Sequence, residues 1–244
     1  MNGEKPQLRC ELKYLIDPLQ HQLIRKNLCK MLKPDPHAGA DGKYTVRNLY
    51  FDDFMDSAFA EKNAGLPKRK KYRIRIYNHS DAVIKFECKT KVNYFIMKES
   101  VRLTRKEAES IIFGEIDFLA DVENPLLREF YVQTRCRLLR PSIILEYERE
   151  AYQHPIGNLR ITFDTGLRAC IGCASFFEED VQPITATDAS EIIMEIKYSG
   201  VFPKFVCSML PADIKPKLAL GKYVLCREQQ KSVIGDSPFL AKFW

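Results

Sequence analysis

The chain has 244 residues, 45% of them hydrophobic and 29% charged, which supplies a real core and excludes wholesale disorder. The formal net charge is +6 and the isoelectric point is near 8.8, a mild basicity that does not by itself argue for nucleic acid. No stretch approaches the ~18 apolar residues of a membrane span, and the polar opening Met1-Asn2-Gly3-Glu4-Lys5-Pro6 does not read as a secretory leader; the expectation is one reduced, cytoplasmic domain over residues 1–244.

Residues 8–16 alternate, with Arg9, Glu11 and Lys13 on one face and Leu8, Cys10, Leu12 and Tyr14 on the other, which is the period of a strand. Asp17-Pro18 predicts a helix start, with an acid at the cap and proline in the first turn, and Leu19, Leu23, Ile24, Leu28 and Met31 follow at helical spacing up to Lys33-Pro34. A loop over 35–43 leads to a strand at 44–52 that ends in Tyr50-Phe51-Asp52-Asp53. Residues 56–63 suit a short helix, which Gly65 and Pro67 end.

The strongest pattern lies at 70–91. Lys71, Arg73, Arg75, Lys85, Glu87, Lys89 and Lys91 fall on one face of two strands, and Tyr72, Ile74, Ile76, Ile84, Phe86 and Cys88 on the other. Lys68 to Lys70 precede this strand and read as rim or solvent-facing. Residues 95–103 form the next strand, with Lys98, Ser100 and Arg102 on one side. Thr104-Arg105-Lys106-Glu107 is a capping box that opens a helix to about Phe113, and Pro125 opens another to about Leu138. Strands follow at 142–152, 159–165 and 191–199, with an irregular, partly acidic connection over 166–190. Helices over 203–210 and 217–229 and a tail at 238–244 complete the chain. The lone Cys170-Ile-Gly-Cys173, without a second pair, does not make a zinc site, and His21, His37, His79 and His154 lack ligand spacing.

Eight strands result, and nearly all carry Lys, Arg or Glu at alternate positions. Three readings are open at this point. The charged faces look at bulk water; or they form a nucleic-acid surface; or they line the inside of an eight-stranded barrel wide enough for a small ligand. In the third case mutual repulsion calls for a polyanion, since Arg and Lys suit phosphate oxygens. Glu11, Glu87 and Glu195 would then be oxygen ligands for a hard divalent cation. The same carboxylates count against nucleic acid, because they would repel its backbone.

Several motifs together resemble a known family: Glu11-x-Lys13-Tyr14, Tyr50-Phe51-Asp52, Lys71-x-Arg73-x-Arg75, Glu87-x-Lys89-x-Lys91, Tyr147-x-Arg149-x-x-Tyr152, Leu159 to Asp164, and Met194-Glu195-Ile196-Lys197-Tyr198. The ordered set is similar to the VTC branch of the triphosphate tunnel metalloenzymes, over roughly residues 8–230. The resemblance implies an α+β fold, an eight-stranded antiparallel β-tunnel with helices packed outside. It implies a polyphosphate polymerase that transfers the ATP γ-phosphate to a polyphosphate chain with Mn²⁺ or Mg²⁺. An inorganic tri- or polyphosphatase or a nucleoside triphosphatase, with water as nucleophile, is the alternative in the same tunnel. A module that binds polyphosphate without turnover is a third possibility.

Carried over by position, Arg73, Arg75, Lys89, Arg149, Arg160 and Glu195 would be catalytic, and Lys13, Lys91, Lys98, Lys197 and Lys222 would bind substrate. Glu195, with Glu11 and Glu87, would hold the metal. The implied partners are ATP and inorganic polyphosphate or triphosphate, with neither nucleic acid nor a membrane span. Two positions depart from the pattern. Arg9 stands where the wider family has a glutamate, which favours the VTC branch, and Gly221 stands where the family has serine before the lysine matched to Lys222. Strand 142–152 leaves two orientations: Arg149 inward with Glu146 and Glu148 in solvent, or those acids inward; the family motif favours the first.

Overall fold

The computed structural model describes residues 9–93, 95–170, 172–179, 181–188, 190–211, 214, 216 and 221–234. In chain order its elements are β1 (Arg9–Ile16), α1 (Pro18–Leu28), β2 (Lys33–Pro34), β3 (Lys43–Asp52), α2 (Ser57–Asn63), β4 (Lys68–Tyr77) and β5 (Ser80–Val92). There follow β6 (Phe95–Leu103), α3 (Arg105–Phe113), α4 (Pro125–Arg137), β7 (Arg140–His154), β8 (Leu159–Cys170), β9 (Pro183–Thr185), β10 (Ile192–Ser199), α5 (Lys204–Cys207) and α6 (Lys222–Ile234). No helix among the described residues is long and apolar enough to cross a membrane.

One antiparallel sheet runs β1-β10-β8-β7-β3-β4-β5-β6, and these are the eight strands expected from alternation. Its two edge strands, β1 and β6, come close without pairing in that ladder, so the sheet curls round an interior. Two short strands were not legible in the sequence. β2 pairs with β7 where a helix end was expected, and β9 pairs with β8 inside the stretch read as irregular. Both are two- or three-residue strands, too short to show alternation. The expected helix over 203–210 shortens to Lys204–Cys207. The last helix begins at Lys222; the expected segment 217–220 and the tail 238–244 lie outside the described residues.

The outer face of the sheet carries the core. Leu49 and Phe51 of β3, Tyr72, Ile74 and Ile76 of β4, and Ile84, Phe86 and Cys88 of β5 pack against α3 and α4. Phe86 meets Phe51 in a tilted contact, Tyr72 in a stacked one and Phe130 edge-on. On the other half, Tyr14, Ile16, Ile161, Phe163, Met194 and Ile196 pack on Ile24 and Leu28 of α1 and Val206 of α5. On β1, β4, β5 and β10 the outward positions are apolar and covered, so the charged positions that alternate with them face the interior; on β3 and β7 the inner positions Tyr44, Val46, Ile143 and Leu145 are apolar and pack with Tyr223 and Cys226 of α6.

Local capping places the helices. Asp17 and Gln20 form a capping box at α1, and Thr104 with Glu107 forms the expected one at α3. Asp52 and Asp53, at the end of β3, accept backbone N–H bonds from Ala58, Phe59 and Ser57, which fixes the start of α2. Arg149 does point inward, but the neighbouring acids are not all in solvent. Glu146 is buried on the outer side against Arg47, His79 and Arg168, and Glu150 against His21 and Arg25; only Glu148 is exposed.

Candidate functional site: a cation-lined tunnel

Strand register brings the charged residues together. On β1 and β10, Glu11 stands opposite Lys197 and Lys13 opposite Glu195. On β10 and β8, Glu195 stands opposite Thr162 and Lys197 opposite Arg160. On β4 and β5, Arg73 stands opposite Glu87. Alternation by two keeps all of these on one face of the curled sheet.

Two charge clusters share the interior. In the first, Glu87 is nearly fully buried and receives Arg73 at 2.6 Å and Lys98 at 2.6 Å, with Arg75 at 4.0 Å. Burial opposes ionisation of Glu87, but Arg73, Arg75 and Lys98 outweigh it and hold the carboxyl well below its usual range. Arg73 also donates to Tyr50 Oη at 2.8 Å, and Arg75 to Asn48 Oδ1 at 2.7 Å. Lys98 sits on β6 with a half-exposed side chain.

In the second cluster, Arg149 donates to both Asp164 oxygens, at 2.6 and 2.8 Å. Lys222, the first residue of α6, comes from a helix that packs on inward side chains of β3 and β7 and lies 2.7 Å from Asp164 and 3.1 Å from Glu195. Burial disfavours the Lys222 ammonium, but Asp164 and Glu195 override it and push its pKa up. Glu195 also meets Lys197 at 3.0 Å and Lys13 at 3.7 Å. Against the cost of burial, Lys197, Lys222 and Lys13 keep the Glu195 carboxyl far below its usual range.

Two contacts join the clusters. Tyr147 Oη accepts from Arg149 at 3.2 Å and from Arg75 at 3.4 Å. Lys89 of β5 donates to both oxygens of Glu11 on β1, at 2.8 and 2.9 Å. Burial weakens the Lys89 ammonium more than Glu11 restores it, and its pKa falls to about 8. Arg160 lies further along β8, bonded to Asp35 and, at 2.9 Å, to Tyr44 Oη. Lys91 lies near Lys13, Arg69 and Glu11.

All the expected site residues therefore face the interior or its mouth. The three carboxylates expected to share a metal do not form one cluster. Glu87 is committed to Arg73 and Lys98, and among the described residues no group of three or more His, Cys, Asp or Glu is arranged to hold a metal ion. Glu195 and Glu11 are hard oxygen donors on adjacent strands and close enough to interact, and the Thr162 hydroxyl opposite Glu195 is buried with no hydrogen-bond partner. Those oxygens fit a divalent cation that shares its coordination with phosphate.

Several members of the site were not singled out in the sequence. Asp164, which stands there only at the end of the Leu159 to Asp164 motif, is the buried partner of Arg149 and Lys222. Asp35, placed in a loop, orients Arg160. Tyr44 was not named, whereas Tyr50 and Tyr147 stand in the quoted motifs; each of the three bonds a tunnel arginine through the hydroxyl. Parity with neighbouring basic residues was the available signal for Asp164 and Tyr147.

A family model described as VTC domain matches residues 8–229. The chain belongs to the VTC domain family. As a VTC domain it falls among proteins related to polyphosphate and triphosphate chemistry in a tunnel, in keeping with the cation-lined interior. No curated protein matches the sequence. A solved putative adenylate cyclase from Bacillus halodurans is similar at 15% identity, over 83% of this VTC domain chain and 86% of that one, with a TM-score of 0.43. The PH1819 protein of Pyrococcus horikoshii is similar at 11% identity, over 90% and 98% of the two chains, with a TM-score of 0.47. The PH1012 protein of the same organism is similar at 14% identity, over 87% and 97%, with a TM-score of 0.42.

Proposed function

We propose that this VTC domain is a polyphosphate polymerase that transfers the γ-phosphate of ATP to the end of a polyphosphate chain inside the tunnel. Phosphoryl transfer asks a protein mainly for positioning and charge neutralisation. Arg73, Arg75 and Arg149 are each held by a carboxylate, an amide or a phenol on a neighbouring strand, so the cations are oriented before substrate arrives. Arg160, Lys13, Lys89, Lys91, Lys98, Lys197 and Lys222 extend the cradle. The terminal phosphate oxygen of the acceptor attacks the γ-phosphorus, the bond to the β-phosphate oxygen breaks, and ADP leaves. Glu195 and Glu11 would hold a divalent cation, Mn²⁺ or Mg²⁺, which would supply further charge neutralisation to the phosphates.

One observation favours chain growth over hydrolysis. Glu11, Glu87, Asp164 and Glu195 are all ion-paired, and all have pKa values displaced downward. They are weak bases, poorly suited to take a proton from water. A phosphate-chain end is already anionic and needs no base. The test is product analysis after incubation with ATP and Mn²⁺. Long-chain polyphosphate with ADP supports the polymerase, free phosphate alone supports the phosphatase alternative, and binding without turnover overturns both.

A further inference from the structure

Helix α1 has an outward face that the tunnel does not use. Its inner side is fixed to the sheet. Ile24 and Leu28 are fully buried against β8, β10 and α5. His21 and Arg25 both pair with Glu150 of β7, and Cys29 Sγ lies 3.4 Å from the Tyr152 hydroxyl. Just past the helix, Leu32 is buried, and Lys33 and Pro34 pair with β7. The segment is held along its length, so a firm backbone presents its outer side chains.

Those outer side chains combine large apolar groups with cations. Leu19, Leu23 and Met31 are 66%, 52% and 51% exposed. Spacings of four and three set Leu19, Leu23 and Lys26 in one stripe along the helix, and exposed Lys30 and Lys33 follow it. Residues 18–34 contain no Asp or Glu. Asp17, just before them, caps the helix by accepting from the Gln20 N–H at 2.8 Å, and Glu150 lies beneath the helix with His21 and Arg25. Among the described residues no carboxylate pairs with Lys26, Lys30 or Lys33. Exposed apolar side chains standing singly are ordinary; three beside three unpaired lysines on an acid-free stretch are not. A soluble polyanion would match the lysines and leave the leucines in water. A neutral apolar partner would cover the leucines and leave the lysines unmatched. An anionic lipid surface satisfies both, because apolar side chains enter the boundary between headgroups and acyl chains while lysine stems reach the phosphates.

We propose that the outward face of α1 and the turn after it, with Leu19, Leu23, Lys26, Lys30, Met31 and Lys33, docks the protein on a membrane surface that carries anionic lipid. The contact is peripheral, and its small apolar area and three lysines make it reversible and sensitive to salt. The inner side of α1 covers the outward residues Ile161 and Phe163 of β8 and Met194 and Ile196 of β10. The docked face therefore lies outside the tunnel wall, and docking leaves the inward cations free for phosphate. The proposal does not depend on which reaction the tunnel performs.

Co-sedimentation with vesicles tests the surface, comparing phosphatidylcholine alone with phosphatidylcholine that contains about one third phosphatidylglycerol. Wild type binds the anionic vesicles at least about tenfold more tightly at low salt and releases them at high salt. Leu19→Ser/Leu23→Ser and Lys26→Ala/Lys30→Ala/Lys33→Ala each weaken that binding by at least about tenfold, with melting temperatures close to wild type because every changed side chain is exposed. Lys68→Ala/Lys106→Ala removes two exposed cations from other elements and leaves vesicle binding within about twofold. Saturating tripolyphosphate leaves wild-type vesicle binding unchanged. The surface is overturned by equal affinity for the two vesicles, by an unaffected leucine variant, by an equal loss in the Lys68/Lys106 variant, or by release with tripolyphosphate, which would assign the vesicle contact to the tunnel mouth. A lysine variant that keeps vesicle binding and loses affinity for long polyphosphate overturns it in favour of the polymer.

Discussion

Lys222 Nζ lies 2.7 Å from Asp164 Oδ2, so α6 contributes a cation to a carboxylate that Arg149 already holds from within the sheet. The helix is thereby pinned to the tunnel wall by a buried charge, and the same charge faces the substrate space. Replacing Lys222 with Met leaves Asp164 and Glu195 with one cation fewer. The expected cost is about 3 kcal/mol of stability, read from urea unfolding, together with loss of polyphosphate synthesis. Unchanged unfolding and unchanged synthesis in that variant would contradict the role.

Arg73 and Arg75 are the paired tunnel cations on β4. The Arg73→Ala/Arg75→Ala variant is expected to lose at least about a hundredfold in synthesis from ATP and Mn²⁺. Among the described residues its Glu87 keeps only Lys98 as a close partner, so the Glu87 pKa rises toward the ordinary carboxylate range. Carboxyl chemical shifts followed against pH in the wild type and the variant read that change directly.

Lys71 has a folded pKa of about 7, well below the ordinary lysine value of 10.5. An unfolded chain therefore binds more protons than the folded one between those values, and this residue makes stability rise with pH across that window. Polyphosphate favours the charged form, so binding at pH 8 draws a proton from the buffer. Titrations in two buffers of different ionisation enthalpy should give different heats, and identical heats would remove Lys71 from the binding surface.

The carboxylates move the other way. Glu87, Asp164 and Glu195 are held below their usual range by buried cations, and Glu150 is lowered to about 2 against burial by His21, Tyr152 and Arg25. Groups with depressed folded values contribute stability above the unfolded pKa, 4.5 for the glutamates and 3.8 for Asp164, and lose it as pH falls through the folded value. Melting temperature should hold from pH 7 to about 5 and fall steeply below about 4.

Phe86 is fully buried among Phe51, Tyr72 and Phe130, on the face of β5 opposite Glu87. Phe86→Ala is expected to cost about 3–5 kcal/mol through the cavity it leaves. Because the same hairpin carries Arg73 and Glu87, its loss should weaken tripolyphosphate binding before the protein unfolds.

Much of the fold was legible because strand alternation is a local property. The inward set Lys71, Arg73, Arg75, Glu87 and Lys89 follows from spacing by two, the start of α1 from Asp17-Pro18, and the capping box at Thr104 from residues three apart. β2 and β9 escaped because two or three residues carry no period, and their pairing depends on a distant strand. Asp35 escaped because its partner Arg160 is 125 positions away.

By itself, the sequence determined which residues share a face, because backbone geometry turns spacing by two into common orientation. It could not determine that this face looks inward, nor which carboxylate meets which cation. Those outcomes came from the apolar faces packing under α1, α3 and α4, which forced the charged faces into the curled interior. There Glu87 went to Arg73 and Lys98, Glu195 went to Lys197 and Lys222, and Lys62 came to stand with Arg69 and Lys91. Coulomb interactions act over distance in space and are blind to distance along the chain, so only the folded sheet could choose the partners.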